Sequence, residues 1–233
     1  YKMNALITGT SSGLGLSLAK AFKERGYNVY GISRSKTDLD IKQIQCNFNN
    51  LDDTKSSIDG LIDVKDFKYV ILNAGMLGKL DKQCNLSIKD YTEVFNVNVL
   101  SNKVLLDVIM KKCDVKNVIG ISSGAALKTY FGWSLYCSSK AAFRQLISSY
   151  ADEFSETHFL SLAPGIIKTK MQDTIYSYDE NEIPSIKKFK NLYAKMDTPD
   201  IVASIILDNL HNFKQVSSGE YFDLRNIADL HKQ

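Results

Sequence analysis

The strongest constraint on this chain is a rhythm. Short, nearly unbroken apolar runs alternate with longer amphipathic segments along all 233 residues. The runs at 4–9 (NALITG), 28–33 (NVYGIS), 42–46 (KQIQC), 68–75 (KYVILNAG), 115–123 (VKNVIGISS), 158–165 (HFLSLAPG) and 220–225 (EYFDLR) read as strands. Helices are predicted over 13–25, 51–62, 88–112, 134–154 and 198–212, and a polar, partly helical and mobile stretch over 168–197. A strand that is apolar along its whole length needs cover on both faces, which indicates a parallel sheet between two layers of helices. Right-handed crossovers make such a sheet doubly wound, with its ligand crevice at the carboxyl ends of the strands. The expectation is a single α/β domain over 3–233, with Met3 as the natural start and a seven-stranded, mostly parallel sheet.

The composition excludes several function classes. A net charge of +3 is too small and too scattered for nucleic acid, and the one basic cluster, SIKKFKNLYAK at 185–195, reads as a solvated helix face. Cys46, Cys84, Cys113 and Cys137 are far apart and lack a nearby His at ligand spacing, so they read as free thiols with no metal site. No apolar stretch approaches the roughly 18 residues that span a bilayer, and the N-terminus does not read as a signal peptide. The expected location is the cytoplasm.

The first strand runs directly into TGTSSGLG (8–15) and then a helix. Gly9 permits the tight turn, Gly13 lets backbone approach a phosphate, and Gly15 allows close packing of the helix. The helix N-terminus offers unpaired N–H groups and a positive dipole end to a pyrophosphate, so this Rossmann-type junction points to a dinucleotide. At the end of the second strand, where a carboxylate would bind a ribose 2′-hydroxyl and select NAD, stand Ser33 and Arg34. A guanidinium there can pair with a 2′-phosphate, which favours NADP (NADPH) over NAD. Arg34 could also be an ordinary solvated charge.

Of the twelve tyrosines, Tyr136 alone has a lysine four residues on, Lys140. On a helix both leave the same face. At about 4 Å and an effective dielectric near 20, an ammonium favours a phenolate by on the order of 4 kcal/mol, enough to draw the phenol towards neutrality. Taken alone, the two could equally form a surface pair without a role.

With TGTSSGLG, NAG (73–75), YCSSK (136–140) and PGIIKT (164–169) in order, the chain resembles the classical short-chain dehydrogenase/reductase family over essentially its whole length. The resemblance implies Tyr136 as catalytic acid/base, Lys140 as its partner and ribose ligand, Ser123 polarising the substrate carbonyl, and Asn98 holding a water in a proton relay. It also implies that Ser11, Ser12, Leu14, Asn73, Ala74, Gly75, Pro164, Gly165, Ile167 and Thr169 line the cofactor. Many members carry an adenine-binding aspartate after the third strand; here Asn47 and Phe48 follow it, and the amide can still bond the adenine.

GISRS (31–35) and SGEYFDLR (218–225) are similar to the branch that contains sepiapterin reductase and bacterial benzil reductases. In sepiapterin reductase an acid near the C-terminus anchors the pterin. Asn226 matches that position, which argues against a pterin and leaves a less polar ketone or diketone. Leu127, Tyr130, Trp133, Ile166 and Met171 are candidate pocket walls under a lid at 168–197. A non-catalytic NADP-sensing protein and a 3-oxoacyl carrier-protein reductase stay open as alternatives. The family further implies a homodimer or homotetramer.

Overall fold

The computed structural model describes residues 2–59, 61 and 63–231. Its strands and helices, in chain order, are β1 (Asn4–Thr8), α1 (Gly13–Glu24), β2 (Asn28–Ser33), β3 (Lys42–Gln45), α2 (Leu51–Asp59), β4 (Asp66–Phe67), β5 (Tyr69–Leu72), α3 (Ile88–Phe95), α4 (Ser101–Lys112), β6 (Asp114–Val115), β7 (Asn117–Ile121), α5 (Ser134–Glu153), β8 (His158–Ala163), α6 (Lys170–Ser177), α7 (Ile186–Leu192), α8 (Pro199–Asp208), β9 (Tyr221–Asp223) and α9 (Ile227–Leu230). The expected extension of α2 to 62 includes Gly60 and Ile62, which lie outside the described residues, as does the expected domain end at 232–233.

Seven strands form one sheet in the order β3-β2-β1-β5-β7-β8-β9. Every neighbouring pair is parallel. The period of two explains why the strands read as continuously apolar. Ala5 and Ile7 of β1, Ile71 of β5, Ile119 of β7 and Leu160 of β8 pack beneath α1 and α8 with Leu18, Phe22, Val202 and Ile206. The intervening Leu6, Val70, Val118 and Phe159 face the opposite core, with Leu105, Ile109, Phe143 and Ile147 of α4 and α5.

Two features were not anticipated. β4 and β6 pair as a separate two-stranded parallel ladder, with Asp66 opposite Asp114. The long helix predicted over 88–112 is helical throughout, but Asn96–Leu100 between α3 and α4 takes a π turn, in which the Ser101 N–H reaches back to the Asn96 carbonyl. Such an insertion re-aims one side chain without ending the helix. Among the described residues no helix is long and apolar enough to cross a membrane.

Candidate active site

The strand order reverses at β1, between β2 on one side and β5 on the other, and the carboxyl ends of the strands open there onto a cleft of about 1260 Å³. Each strand end contributes: Gly9 after β1, Arg34 after β2, Asn47 and Phe48 after β3, Asn73–Gly75 after β5, Ser122 and Ser123 after β7, residues 164–169 after β8, and Asp223 with Arg225 from β9.

The glycine loop forms an anion cradle. Ser11, Ser12, Gly13 and Leu14 line the cleft, and no side chain caps the N-terminus of α1. Its first N–H groups are therefore left without a side-chain cap beside the cleft, with no acidic residue in the first turn to oppose an anion. Gly15 does not line the cleft. It is packed so closely that a methyl there would lie 2.0 Å from the Gly9 carbonyl oxygen. Behind the loop, the Thr8 hydroxyl accepts from the N–H groups of Asn73 and Ala74, at 2.9 Å each, and the Asn73 amide donates to the Thr8 carbonyl at 3.1 Å. Asn73 thus ties β5 to β1 and supports the cradle from beneath. These features fit a dinucleotide pyrophosphate.

At the carboxyl end of β2, Ser33 is buried and its hydroxyl donates to the Ser35 carbonyl at 2.7 Å, leaving Arg34 as the exposed group. Arg34 makes no ion pair with any described residue. The Asn47 carbonyl oxygen of the side chain accepts from the Asn49 N–H at 3.2 Å, while the Phe48 ring is anchored in the core at 5 % exposure.

At the opposite end, α5 carries Tyr136 and Lys140 on successive turns of its buried face. Lys140 Nζ donates to the Ile121 carbonyl at 3.0 Å and lies 5.8 Å from the centre of the Tyr136 ring. The Ser123 hydroxyl accepts from the Ala125 N–H at 3.1 Å, which holds it in place, near enough to the Tyr136 phenol to favour its ionised form slightly. Asn98 lies behind this group, outside the cleft lining. Its side chain accepts from the Met76 N–H at 2.8 Å and donates to the Met76 carbonyl and the Ser139 hydroxyl, both at 2.9 Å. The π turn aims it there. A methyl on Gly75 would lie 3.4 Å from Lys140 Nζ and 3.5 Å from Asn98 Oδ1, at ordinary contact distance, so Gly75 sits beside both groups. Asn98 positions the 75–76 segment in this structure.

The ionisation of the pair departs from the sequence expectation. Burial pushes the Tyr136 phenol up to about 12, against a smaller lowering by the Ser123 hydrogen bond. Burial also pushes the Lys140 ammonium down to about 8. The expected pull towards neutrality loses because both groups are desolvated, which disfavours phenolate and ammonium alike. The phenol therefore holds its proton at neutral pH, the form a proton donor needs.

A stability prediction follows for Lys140. Its unfolded value is near 10.5, so between about pH 8 and 10.5 the unfolded chain binds more protons and stability rises with pH. Below pH 8 the penalty for the buried charge is present in full, on the order of 3 kcal/mol. Lys140→Met removes it and leaves the Ile121 carbonyl without its donor, at about 1–2 kcal/mol. The expected outcome in urea titrations is a variant more stable than the parent by about 1 kcal/mol at pH 7, with the advantage shrinking from pH 8 to 10. A variant less stable at pH 7 would contradict the assigned ionisation.

The end of the cleft beside α5 and α7 is aromatic. Trp133 stacks on Phe189 of α7, with ring centroids 4.8 Å apart, and meets Tyr130 at 5.6 Å and Tyr136 at 6.1 Å. All five expected wall residues, Leu127, Tyr130, Trp133, Ile166 and Met171, line the cleft. The 168–197 stretch forms α6 and α7, and its Ile175, Ile183, Ile186 and Phe189 share an apolar cluster with Trp133 and Tyr136. The Ser185 hydroxyl donates to the Phe131 carbonyl at 2.7 Å and the Leu80 N–H to the Tyr178 hydroxyl at 3.2 Å, which pins the far end of this cover.

Two site residues escaped the sequence reading. Asn226 lines the cleft as expected, but a carboxylate stands there too: Asp223, bound by Arg225 through Nε at 2.9 Å and Nη2 at 2.5 Å. Asn226 itself is uncharged, as read, and the acid stands three residues before it, at a position the sequence reading did not consider. Both residues lie in the last apolar run, EYFDLR, and strand-end logic extended to that run would have reached them. Among the described residues no group of three or more His, Cys, Asp or Glu side chains is arranged to hold a metal ion.

Comparison with known proteins agrees with this geometry. Residues 3–180 match the family model described as short chain dehydrogenase. The chain belongs to the short-chain dehydrogenase family. Within it, the chain is 29 % identical over 240 residues to a benzil reductase ((S)-benzoin forming) of Bacillus subtilis, covering 95 % of this chain and 98 % of that one. It is 33 % identical over 193 residues to a benzil reductase of Saccharomyces cerevisiae, covering 73 % of each. A short-chain dehydrogenase/reductase crystal structure from Saccharomyces cerevisiae superimposes with a TM-score of 0.84 at 22 % identity, covering 99 % of this chain and 98 % of that one. The family is one of oxidoreductases, and the branch is the one that the C-terminal and second-strand motifs implied.

Proposed function

We propose that this chain reduces a carbonyl of a small molecule to an alcohol, with NADPH as cofactor and Tyr136 as proton donor. The observation that carries the reading is a buried, protonated phenol that lines, together with Ser123 and Lys140, the same cleft as the glycine loop. Gly9, Gly13, Ser12 and the first turn of α1 would hold the pyrophosphate, Lys140 the nicotinamide ribose, and residues 164–169 the carboxamide. When bound, the cofactor supplies hydride to the carbonyl carbon. The Ser123 hydroxyl donates to the carbonyl oxygen, stabilising the charge that develops there. Tyr136 delivers its proton to that oxygen. Lys140, with its ammonium held by the Ile121 carbonyl, supports the phenol as its proton leaves. The likeness to two benzil reductases favours ketones and diketones as substrates.

The test is NADPH oxidation followed by absorbance against ketones, diketones, sugars, steroids and acyl thioesters. Turnover of a small ketone or diketone is the expected result. Cofactor binding without turnover of any carbonyl would replace the reading with that of a sensor, and turnover confined to acyl thioesters would replace it with that of a carrier-protein reductase.

Arg34 is assigned to the 2′-phosphate because it is exposed at the second-strand end without an ionic partner among the described residues. Arg34→Asp is expected to lower the NADPH-to-NADH ratio of kcat/KM by about a hundredfold, through loss of a charge-assisted bond and gain of a like charge. An unchanged ratio removes Arg34 from the phosphate site.

A further inference from the structure

We propose that the carbonyl substrate is an anion, a flat apolar ketone whose carboxylate is held between Lys128 and Arg225. The inference rests on the reductase reading above and names the substrate class for that same cleft.

Tyr136 meets Trp133, and Trp133 meets Tyr130, so the first part of the wall is aromatic and suits a flat apolar body. Beyond Tyr130 the wall becomes cationic. Arg225 interacts electrostatically with Tyr130 and Tyr221, and its stem packs over Gly165, 3.9 Å from where a methyl on that glycine would lie. Lys128 lines the same cleft and is near enough to Asp223 to interact with it electrostatically.

Counting charges at this end decides the sign of the ligand. Asp223 is the carboxylate there, and both its oxygens are already bonded: Oδ1 to the N–H and Nε of Arg225, Oδ2 to Nη2. It has little capacity left for a cationic or amine ligand. Glu93, the other carboxylate along the cleft, stands on α3 one turn before Asn96, whose amide donates to Asn49 on the adenosine side. Lys128 makes no ion pair with a described residue, and the Arg225 guanidinium has donors beyond the two given to Asp223. Lys188 lines the same cleft from α7. The pair Asp223–Arg225 cancels, and Lys128 and Lys188, like Lys168 and Lys170 of the same lining, make no ion pair with a described residue, which leaves a net positive field. Low-dielectric walls concentrate such a field on whatever occupies the cleft. An anionic substrate end is attracted there, and a cationic one is repelled.

The test uses a matched pair, 4-acetylbenzoate and its methyl ester. Each presents a ketone, a ring and, at the far end, a carboxyl group that is charged in the acid alone. The expected result is a kcat/KM for the acid about tenfold above that for the ester, carried by KM, with the preference narrowing as salt rises. Lys128→Met is expected to bring the acid-to-ester ratio towards one, and Lys128→Glu to bring it below one. Trp133 is the single tryptophan and lies in the wall, so quenching of its fluorescence gives a second readout on the protein without added cofactor. There too the acid is expected to bind more tightly than the ester, and Lys128→Met to erase the difference. Turnover of the ester equal to or better than that of the acid overturns the inference and leaves the reductase reading intact. Absence of turnover for both, and for the neutral ketones and diketones, overturns the two together.

Discussion

Tyr136→Phe is expected to lower kcat for carbonyl reduction by about 10²–10⁴-fold, the usual contribution of a positioned general acid. The variant removes one hydroxyl and nothing else. The ring keeps its contact with Trp133 at 6.1 Å, and the side chain stays buried in the same apolar cluster. The cradle for the pyrophosphate lies on other elements, so the Kd for NADPH is expected to change by less than about threefold. Stopped-flow measurement of hydride transfer, with cofactor affinity from fluorescence titration, separates the two quantities. Loss of the proton donor appears in the rate alone. A variant that retains near-normal turnover would mean that another group supplies the proton, and neither Ser123 nor Lys140 is placed to do so without rearranging its present bonds.

The second large effect is at Gly15. A methyl there would stand 2.0 Å from the Gly9 carbonyl oxygen, 2.7 Å from the Gly9 carbonyl carbon and 2.5 Å from the Asn73 amide nitrogen. Two of the three are backbone atoms of the turn itself, so relief requires moving either the turn or the helix. Gly15→Ala is therefore expected to destabilise the protein by about 3 kcal/mol or more, at the upper end for overpacking. Because the turn that shifts is also the anion cradle, NADPH binding is expected to fall with it. Gly13 makes a useful contrast. Its φ is +54°, where a side chain costs roughly 1–2 kcal/mol, yet a methyl there would meet only Thr169, at 3.5 Å. Gly13→Ala should therefore lose less stability than Gly15→Ala, as read by the shift in urea midpoint. Equal midpoints for Gly15→Ala and the parent would refute the packing account.

Much of this molecule is written locally. Alternating apolar runs and amphipathic segments are short-range patterns, and a strand buried on two faces or a helix buried on one records its neighbours in its own composition. The seven strands of the main sheet were accordingly legible, with β2 matching its expected bounds of 28–33. The positions of Gly9, Gly13, Tyr136 and Lys140 were legible too, since a turn and a helix period each place a residue by spacing, whereas Ser123 came only from the family resemblance. The two-residue ladder β4–β6 was not, because its pairing joins segments 48 residues apart and neither has enough length to show a pattern. The π turn at Asn96–Leu100 left no signature either, being a change of hydrogen bonding inside an otherwise helical stretch.

The charge states were beyond reach for a deeper reason. From spacing, an ammonium beside a phenol should acidify it. Folding buries both, and the cost of removing an ion from water exceeds the attraction, so the phenol rises to about 12 and the ammonium falls to about 8. In the same way, spacing does not mark Asp223 as a paired acid, and only the folded chain shows both its oxygens bonded by Arg225. Residue type and order specify which elements form, because backbone geometry and side-chain burial act over a few neighbours. Desolvation and electrostatics act through space among groups that only the folded chain brings together.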